Sequence, residues 1–315
     1  MTPPPPAVSV VIATYNKADT LSAAIDSVLA QTYRDFEILV VDDGSTDDTA
    51  ERIRAYGDKI RYLQKENGGT GSTRNLGITQ SRGRFTAFLD GDDLWLPDKL
   101  RLQMEAFKRE PDLAAVQCSA YCVDPSLKVI EERRCTPAQD TLMDFLLFRN
   151  LPAFASCVVI RKEILDQIGG FGTDLVILSD WDMVCRLARV GTLRSVPEPL
   201  VLYRQYPNNQ SRSVEIHLWS GVRSLRRFFA DPALEPGIRR RQKQVWARFY
   251  AMLAGGYLRN GNWGRALGWT CRALKTSPAV APYVAGMPAR RLLKGLTLSR
   301  RRSFAHMEPA GQRCA

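Results

Sequence analysis

Three aspartates follow an apolar run near residue 90 of this 315-residue sequence. Residues 85–89 have the composition of a buried strand, and Asp90-Gly91-Asp92-Asp93 comes directly after them. Carboxylate oxygens are ligands that Mg²⁺ and Mn²⁺ prefer, and Mg²⁺ commonly takes one or two of them together with phosphate oxygens. Gly91 allows the backbone to turn sharply between the acids. The pattern therefore predicts a divalent-cation site, with a solvated acidic turn as the alternative.

Two earlier strands are also predicted to end in polar residues. The β-branched run over residues 8–13 is followed by Thr14-Tyr15-Asn16, and the run over residues 36–41 is followed by Asp42-Asp43-Gly44-Ser45. Each polar group could simply end a strand or cap a helix. Strands alternate with predicted helices here, however, which is typical of a mostly parallel, doubly wound α/β sheet. Ligands bind outside the carboxyl ends of such strands, so we expect all three polar groups to line one crevice.

A glycine-rich segment, Asn67-Gly68-Gly69-Thr70-Gly71, precedes a predicted helix that carries Arg74 and Asn75. Glycines let a backbone approach a ligand closely, and the planar guanidinium of arginine suits diphosphate oxygens. A flexible loop with a solvated arginine is the alternative. The segment is not a dinucleotide-binding fingerprint, because G-x-G-x-x-G must follow the first strand and Arg74 stands where its last glycine should be. A Walker-type phosphate loop is absent from the sequence as well.

The second half of the sequence supplies further polar groups. Residues 155–160 favour a strand and residues 162–168 a helix, and a loop then ends in Ser179-Asp180-Trp181-Asp182. By residue type alone, Asp180 would serve as the N-cap of the helix that follows. The run Leu200-Val201-Leu202-Tyr203-Arg204 predicts a last strand. These elements would complete the sheet and bring a distant acid to it.

Charge divides the chain into two parts. Residues 219–315 contain 19 Lys and Arg against 3 Asp and Glu, a balance of +16. Subtracting these from the totals of 44 and 33 leaves 25 against 30 for residues 1–218, a balance of −5. The basic part has helical periodicity with a break at Gly261-Asn262, which predicts an antiparallel helix pair. We therefore expect a flexible proline-rich tail over residues 1–6, an α/β domain over residues 7–218 and a basic helical region over residues 219–315.

Composition argues against several other classes of protein. The sequence has no apolar run of the roughly 18–20 residues that span a bilayer, and Met1-Thr2-Pro3-Pro4-Pro5-Pro6 lacks the basic and apolar parts of a signal peptide. The seven cysteines are scattered without a C-x-x-C pair, which argues against a zinc site or a disulfide framework. A reducing cytoplasmic location fits this use of cysteine.

Six segments, in their order along the chain, resemble glycosyltransferase family 2, whose members are inverting nucleotide-sugar transferases of GT-A fold. The segments are Val8–Asn16, Glu37–Thr46, Asn67–Asn75, Phe85–Asp98, Gly169–Asp182 and Leu200–Arg204. The resemblance implies a GT-A domain over residues 7–218, with a Rossmann-like, mostly parallel sheet flanked by helices. The basic helical region would be an extension outside the resemblance.

The resemblance also implies roles for individual residues. Asp180 would be the catalytic base, Asp92 would bind Mg²⁺ or Mn²⁺ beside the diphosphate, and Asp93 would be structural. Asp182 and Arg204 would support the site. The residues expected to bind the donor are Thr14, Tyr15, Asn16, Asp42, Asp43, Ser45, Gly69, Arg74, Asn75 and Asp90.

Two positions depart from the family pattern. Ser179 stands where one of two acids is usual, and Asp182 could compensate for the missing acid. Tyr206 stands where many relatives have a histidine that helps to ligate the metal. The metal would then depend on Asp92, the diphosphate and water.

The expected function is transfer of a sugar, with inversion, from a UDP-, GDP- or dTDP-linked donor to a hydroxyl group of a sugar, lipid-linked or protein acceptor. Cell-surface polysaccharide or glycolipid assembly is the expected context. The basic residues of 219–315 favour peripheral attachment to the anionic inner face of a membrane over nucleic-acid binding. The alternative is a non-enzymatic basic protein that binds membranes or nucleic acid on an α/β scaffold.

Overall fold

The computed structural model describes residues 4–137, 141–149, 155–206, 213–287 and 303–307. Nine strands in these ranges form one sheet. The strands are β1 (Val8–Thr14), β2 (Phe36–Asp42), β3 (Arg61–Gln64), β4 (Phe85–Asp90), β5 (Leu94–Trp95), β6 (Leu113–Val123), β7 (Val129–Arg133), β8 (Val158–Arg161) and β9 (Thr192–Arg204). The first half of the predicted proline-rich tail, residues 1–3, lies outside the described residues.

Twelve α-helices accompany the sheet in the described residues. They are α1 (Leu21–Leu29), α2 (Thr49–Ile53), α3 (Thr70–Gln80), α4 (Lys99–Arg109), α5 (Leu142–Leu146), α6 (Lys162–Ile168), α7 (Ser179–Leu187), α8 (Val214–Ala230), α9 (Pro236–Arg240), α10 (Gln242–Arg259), α11 (Trp263–Thr276) and α12 (Ala281–Ala285). None of the helices in these ranges combines the length and the apolar composition that crossing a bilayer requires.

The sheet has the strand order β3-β2-β1-β4-β8-β6-β9-β5, and β7 pairs with β6. β1 pairs in parallel with β2 and β4, and β2 pairs in parallel with β3. β8 joins this parallel part to the rest of the sheet by lying antiparallel to both β4 and β6. The predicted strand–helix alternation is therefore confirmed for the first four strands of the sheet, and their carboxyl ends lie along one edge.

β1 lies inside the parallel part of the sheet and is buried along its whole length. A β-branched run is stable in this place because it packs well against neighbours on both faces of a covered sheet. α3 packs so closely on β1 that a Cβ atom at Gly77 would lie 2.2 Å from Cγ1 of Val11. Gly77 therefore sets the short distance between β1 and the helix that carries Arg74.

Several strands differ from the prediction. The sequence does not predict β5 or β7, because strands of two and five residues carry too little periodicity. β9 begins at Thr192 rather than Leu200 and contains Pro197 and Pro199, a residue type that is rare inside strands. The register of β9 against β6 shifts on both sides of Ser119, and this irregularity accommodates the prolines. Residues 155–157, predicted as strand, form a 3-10 turn ahead of β8.

The helical region is continuous with the α/β domain. α8 crosses the predicted boundary between residues 218 and 219. Its buried residues Leu225, Phe228 and Phe229 belong to the same hydrophobic cluster as the sheet. The boundary therefore falls inside a helix that packs against the sheet core.

α10 and α11 form the predicted antiparallel pair. Ala247, near the start of α10, clusters with Ala273, near the end of α11. At the opposite end, the guanidinium of Arg265 in α11 lies 5.5 Å from the ring centroid of Tyr257 in α10. The turn at Gly261, whose φ is 74°, connects the two helices.

Candidate active site

The three predicted polar strand ends meet at one edge of the sheet. Thr14 is paired with Asp42, and Ala13 is paired with Asp90. The N–H of Gly91 donates to the carbonyl of Ala13 at 2.9 Å, which continues the pairing into the acidic turn. A Cβ atom at Gly91 would lie 2.9 Å from Oγ1 of Thr14, so glycine is required where the turn crosses β1. The expectation that the three polar groups lie together is confirmed.

The end of β1 is held to the end of β2 by a set of short hydrogen bonds. The N–H of Asn16 donates to Oγ of Ser45 at 2.8 Å, and Oδ1 of Asn16 accepts from the N–H of Thr46 at 2.8 Å. Asp42 accepts from the N–H and the hydroxyl of Ser45 at 2.9 and 2.6 Å, and from the hydroxyl of Tyr62 at 2.6 Å. These side chains form a hydrogen-bonded wall at which Tyr15 is 45% exposed.

Asp43 holds the glycine-rich segment in place. Its carboxylate accepts from the N–H groups of Gly68 and Gly69 at 2.9 and 2.8 Å and from Nζ of Lys65 at 2.6 Å. Burial opposes ionisation of Asp43, but these donors outweigh it and lower the pKa of the carboxyl group. Gly69 has a φ of 85°, which suits glycine, and α3 starts at the next residue. The structure thus places Asp43 and Gly69 at the start of the helix that carries Arg74.

Arg74 connects two carboxylates that are far apart in the sequence. Nη2 of Arg74 donates to Oδ1 of Asp90 at 2.6 Å, and Nη1 donates to Oδ1 of Asp180 at 2.5 Å. The arginine side chain is 4% exposed and lies against the ring of Phe171, 5.1 Å from its centroid. Both terminal nitrogens therefore face carboxylates, whereas the sequence prediction placed Arg74 opposite a diphosphate.

Asp180 is the second residue of α7 and has three polar neighbours. Besides Arg74, its carboxylate accepts from the N–H of Ala155 at 3.0 Å, and the hydroxyl of Ser179 lies 3.4 Å away. Burial raises the pKa of Asp180, the charge of Asp90 adds to this, and Arg74 opposes it. The N-cap position belongs to Leu178, with a φ of 63°, so the alternative of Asp180 as the helix cap is wrong.

Asp92 is paired with Lys17, a residue that the sequence prediction did not select. Nζ of Lys17 donates to Oδ2 of Asp92 at 2.6 Å and lies 5.3 Å from the ring centroid of Tyr206. Burial disfavours the charge on Lys17, but Asp92 outweighs burial and raises the pKa of the ammonium group. The position of Lys17 directly after Asn16, at a strand end, was the available signal in the sequence.

Asp93 and Arg204 hold the acidic turn against β9. Asp93 is buried and accepts from the hydroxyl of Ser156 at 2.6 Å and from the N–H of Arg204 at 3.0 Å. Burial and the nearby charges of Asp92 and Asp90 raise the pKa of Asp93 well above its usual value. Nε of Arg204 donates to the carbonyl of Asp92 at 2.8 Å. Both residues therefore shape the turn that presents Asp92.

Two residues predicted at the site, Asp182 and Asn75, have other contacts. Asp182 is buried and accepts from Arg186 and Arg227, both at 2.9 Å, and from Ser224 at 2.5 Å. It lies two residues along the helix from Asp180 and therefore faces α8, so it does not compensate for the acid that Ser179 replaces.

Asn75 orders the loop ahead of α7. Its side-chain amide donates to the carbonyl of Phe171 at 2.9 Å, and its side-chain oxygen accepts from the N–H of Phe171 at 2.8 Å. These bonds occupy the amide group that the sequence prediction assigned to the donor. The loop they hold leads to Asp180.

The carboxylate oxygens of Asp90 and Asp92 fit a hard cation whose remaining ligands are phosphate and water oxygens. In the described residues there is no group of three His, Cys, Asp or Glu side chains that could hold a metal by itself. Asp90 and Asp92 flank Gly91, and each has one carboxylate oxygen bonded to a basic side chain. Their side chains are 27% and 19% exposed, so both remain accessible from the crevice. Mg²⁺ and Mn²⁺ are compatible with such a partial set.

Comparison with known proteins gives the family. The sequence profile of glycosyl transferase family 2 matches residues 9–169. An uncharacterised glycosyltransferase of Rickettsia prowazekii is 36% identical over 235 residues, which cover 69% of this chain and 71% of that protein.

Solved structures share the fold. S. aureus TarS 1–349 in complex with UDP-GlcNAc matches with a TM-score of 0.59 at 18% identity, covering 91% of this chain and 88% of that one. The mannosyltransferase PcManGT from Pyrobaculum calidifontis, in complex with GDP-Man and Mn²⁺, matches with a TM-score of 0.58 at 20% identity, covering 90% and 80%. These likenesses confirm the GT-A fold class with its helical extension. The chain belongs to glycosyl transferase family 2, and it is a glycosyltransferase of GT-A fold.

Proposed function

We propose that the protein transfers a sugar from a nucleotide-sugar donor to an acceptor hydroxyl group with inversion at the anomeric carbon. The observation that carries the proposal is the Asp90–Arg74–Asp180 bridge. It places a carboxylate from the first turn of α7 beside the acidic turn after β4. An inverting transfer needs these two parts, a base for the acceptor and a site for the leaving diphosphate.

Asp180 is the proposed base. Its carboxylate would take the proton of the acceptor hydroxyl as that oxygen attacks the anomeric carbon. The bond from the anomeric carbon to the diphosphate oxygen breaks on the opposite side, and the nucleoside diphosphate leaves with the electron pair. A base is most effective when its pKa approaches the working pH, and burial raises the pKa of Asp180 in that direction.

The donor would lie along the wall formed by the ends of β1 and β2. Tyr15, which is exposed, offers a stacking surface for the base. Thr14, Asn16, Asp42, Asp43 and Ser45 lie at the same strand ends and would complete the donor site, although Thr14, Asp42 and Asp43 are themselves buried. A UDP-, GDP- or dTDP-linked sugar is the proposed donor class, since the TarS and PcManGT complexes hold UDP-GlcNAc and GDP-Man. Asp92, with Asp90, would hold Mg²⁺ or Mn²⁺, whose charge stabilises a departing diphosphate. Lys17 adds positive charge at the same place.

A thermal-shift screen of nucleotide sugars, with and without Mn²⁺, tests this arrangement. A true donor at 100 times its Kd is expected to stabilise the protein by about 2.7 kcal/mol. Asp92→Asn should remove the part of the shift that depends on Mn²⁺, because the amide is a poor ligand for a hard cation. Asp112→Asn, in an exposed turn, is the matched control and should behave as the wild type. Stabilisation by dinucleotide cofactors alone would contradict the proposal.

The cellular setting is also a proposal. We infer a cytoplasmic enzyme that works on a sugar, lipid-linked or protein acceptor in cell-surface polysaccharide or glycolipid assembly. The basic region 219–315 would bind peripherally to an anionic membrane, and the exposed side chains of Trp263 and Leu267 lie on one side of α11. Flotation with anionic but not neutral vesicles, reversed by high salt, is the expected result. Flotation that ignores lipid charge would contradict it. Membership in an enzyme family leaves a non-enzymatic function without support.

A further inference from the structure

A groove of about 690 Å³ lies between α8, α10 and α11, outside the strand-end crevice. We call it the α8–α11 groove. Four aromatic side chains line it, namely Trp219, Trp246, Tyr250 and Trp269. Its volume lies within the range of roughly 300–1,000 Å³ that is typical of small-molecule sites. Trp219 is 49% exposed, so part of the aromatic lining faces solvent.

The same groove carries an excess of positive charge. Arg223, Arg226 and Arg272 line it against one acid, Glu215. Glu215 is already bonded to Arg265, whose Nη1 lies 2.8 Å from its carboxylate. Arg226 and Arg272 are exposed, and neither has an acidic partner within the described part of the chain. Two guanidinium groups are therefore available to an anion.

Arginine and aromatic groups lie together in the groove. The guanidinium of Arg272 is 4.9 Å from the ring centroid of Tyr250 and 5.3 Å from that of Trp269. Arg223 lies 5.5 Å from the ring centroid of Trp219. Arginine binds phosphate and carboxylate groups through a planar pair of donors, and flat aromatic faces pack against the C–H face of a sugar ring. The combination suits an anionic glycan.

α8 connects the groove to the candidate base. Arg223 and Arg227, one turn apart, both pair with Asp174, which precedes Asp180 by six residues. Arg227 also pairs with Asp182 in α7 at 2.9 Å. The N–H of Ile177 lies 3.5 Å from the hydroxyl of Ser220, so the loop between Asp174 and Asp180 packs on α8. The groove therefore borders the loop that leads to the acceptor side of the site.

We propose that the α8–α11 groove binds the acceptor, and that the acceptor is a glycan carrying phosphate or carboxylate groups. This inference rests on the proposed function, because an acceptor exists only if the protein transfers a sugar. The chain's own residues 288–302 do not suit the groove, since they contain six basic residues and no acid.

The membrane contact proposed for α11 uses another side of the helix. At about 100° per residue, Trp269 and Arg272 lie roughly 120–180° around α11 from Trp263 and Leu267. A bilayer against the outer side therefore leaves the groove accessible to a glycan.

Tryptophan fluorescence titration with defined oligosaccharides tests the proposal, because three of the six tryptophans line the groove. The probes are oligogalacturonate and phosphorylated dextran, with unmodified dextran oligosaccharide as the neutral probe. Binding of at least one anionic probe, about tenfold or more tighter than the neutral one, is expected. The double variant Arg226→Ala/Arg272→Ala should bind the anionic probe ~10-fold or more weakly than the wild type does, since it lacks two charged hydrogen-bond donors. Arg109→Ala, an arginine 82% exposed on α4, is the matched control and should bind as the wild type.

Equal binding of neutral and anionic glycans, or binding unchanged in the double variant, would overturn the proposal. Binding to anionic vesicles is measured separately. If vesicle binding requires Arg226 and Arg272 and no glycan binds, the groove is a site for lipid headgroups, and the glycan proposal is overturned. The shift produced by a nucleotide sugar should be the same in wild type and double variant, which also shows that the variant is folded. A donor shift without glycan binding would overturn the groove proposal alone, whereas glycan binding without any donor shift would contradict the proposed donor site and, with it, the assignment of the groove to an acceptor.

Discussion

Replacing Asp180 by Asn is expected to lower kcat by about 10²–10⁴-fold, the usual contribution of a positioned base, with little change in donor affinity. The amide oxygen can still accept from Arg74, whereas the amide nitrogen would face the N–H of Ala155, so one hydrogen bond is lost while the contact with Arg74 is kept. The amide cannot take the proton of the acceptor hydroxyl. Steady-state kinetics with the donor found by thermal shift measures kcat, and the thermal shift itself measures donor binding.

The pH dependence of kcat gives a second measure of the same role. A base must be deprotonated to act, so kcat should rise as pH rises through the pKa of Asp180, which burial places above the usual value for an aspartate. Asp180→Asn should lose this acid limb. Asp112→Asn, in the exposed turn before β6, should keep both the rate and the limb. Near-normal turnover in Asp180→Asn would remove Asp180 from the role of base.

Replacing Arg74 by Met is expected to reduce both stability and activity. The buried guanidinium lies between Asp90 and Asp180 and pairs with both. Without it, two negatively charged carboxylates face each other and neither has its cationic partner. Breaking a fully buried pair costs about 3–5 kcal/mol, but these carboxylates are 27% and 23% exposed and partly solvated. We therefore expect a loss of about 2 kcal/mol in the free energy of unfolding, or roughly 4–8 °C in Tm.

Arg74 is a positioning residue in this view, and its test needs more than a rate. Arg74 opposes the rise of the pKa of Asp180, so its loss should raise that pKa further and move the acid limb of kcat to higher pH. At neutral pH kcat should fall about 10²-fold or more, the lower end of what a positioned base contributes. Arg74→Lys should recover part of the Tm but not the rate, because one ammonium group cannot replace the two-sided fork. An acid limb at the wild-type pH in Arg74→Met would show that Arg74 does not act on the base.

Strands were predictable from the sequence where the sheet is buried, because burial restricts which residue types can occur there. The β-branched runs before Thr14 and Asp42 form strands because both faces of the parallel part are covered. β9 was underestimated because Pro197 and Pro199 suppress strand propensity, and a register shift that tolerates them has no local signature.

The residue types at the site were predictable, but their partners were not. Strand ends identified Asp42, Asp90 and Asp92, since the polar break after an apolar run is a local signal. Arg74 and Asp180 are 106 positions apart, and Lys17 and Asp92 are 75 apart, so only the folded chain pairs them. The assignment of Asp182 to the chemistry failed because its partners, Arg227 and Ser224, come from a helix outside the family motifs.

The course of α8 limits where this protein can be divided. A chain cut after residue 218 would end within the first turns of the helix and leave Leu225, Phe228, Phe229 and Phe249 out of the hydrophobic cluster they share with the sheet. Burying each such side chain contributes about 1.5–3 kcal/mol, so the four together are comparable to the 5–15 kcal/mol that stabilises a typical domain. The family motifs end before residue 218, but the hydrophobic core includes residues that come after it. A fragment that ends at residue 218 would therefore lack Ser220 and Arg223, the part of α8 on which the loop that leads to the proposed base packs.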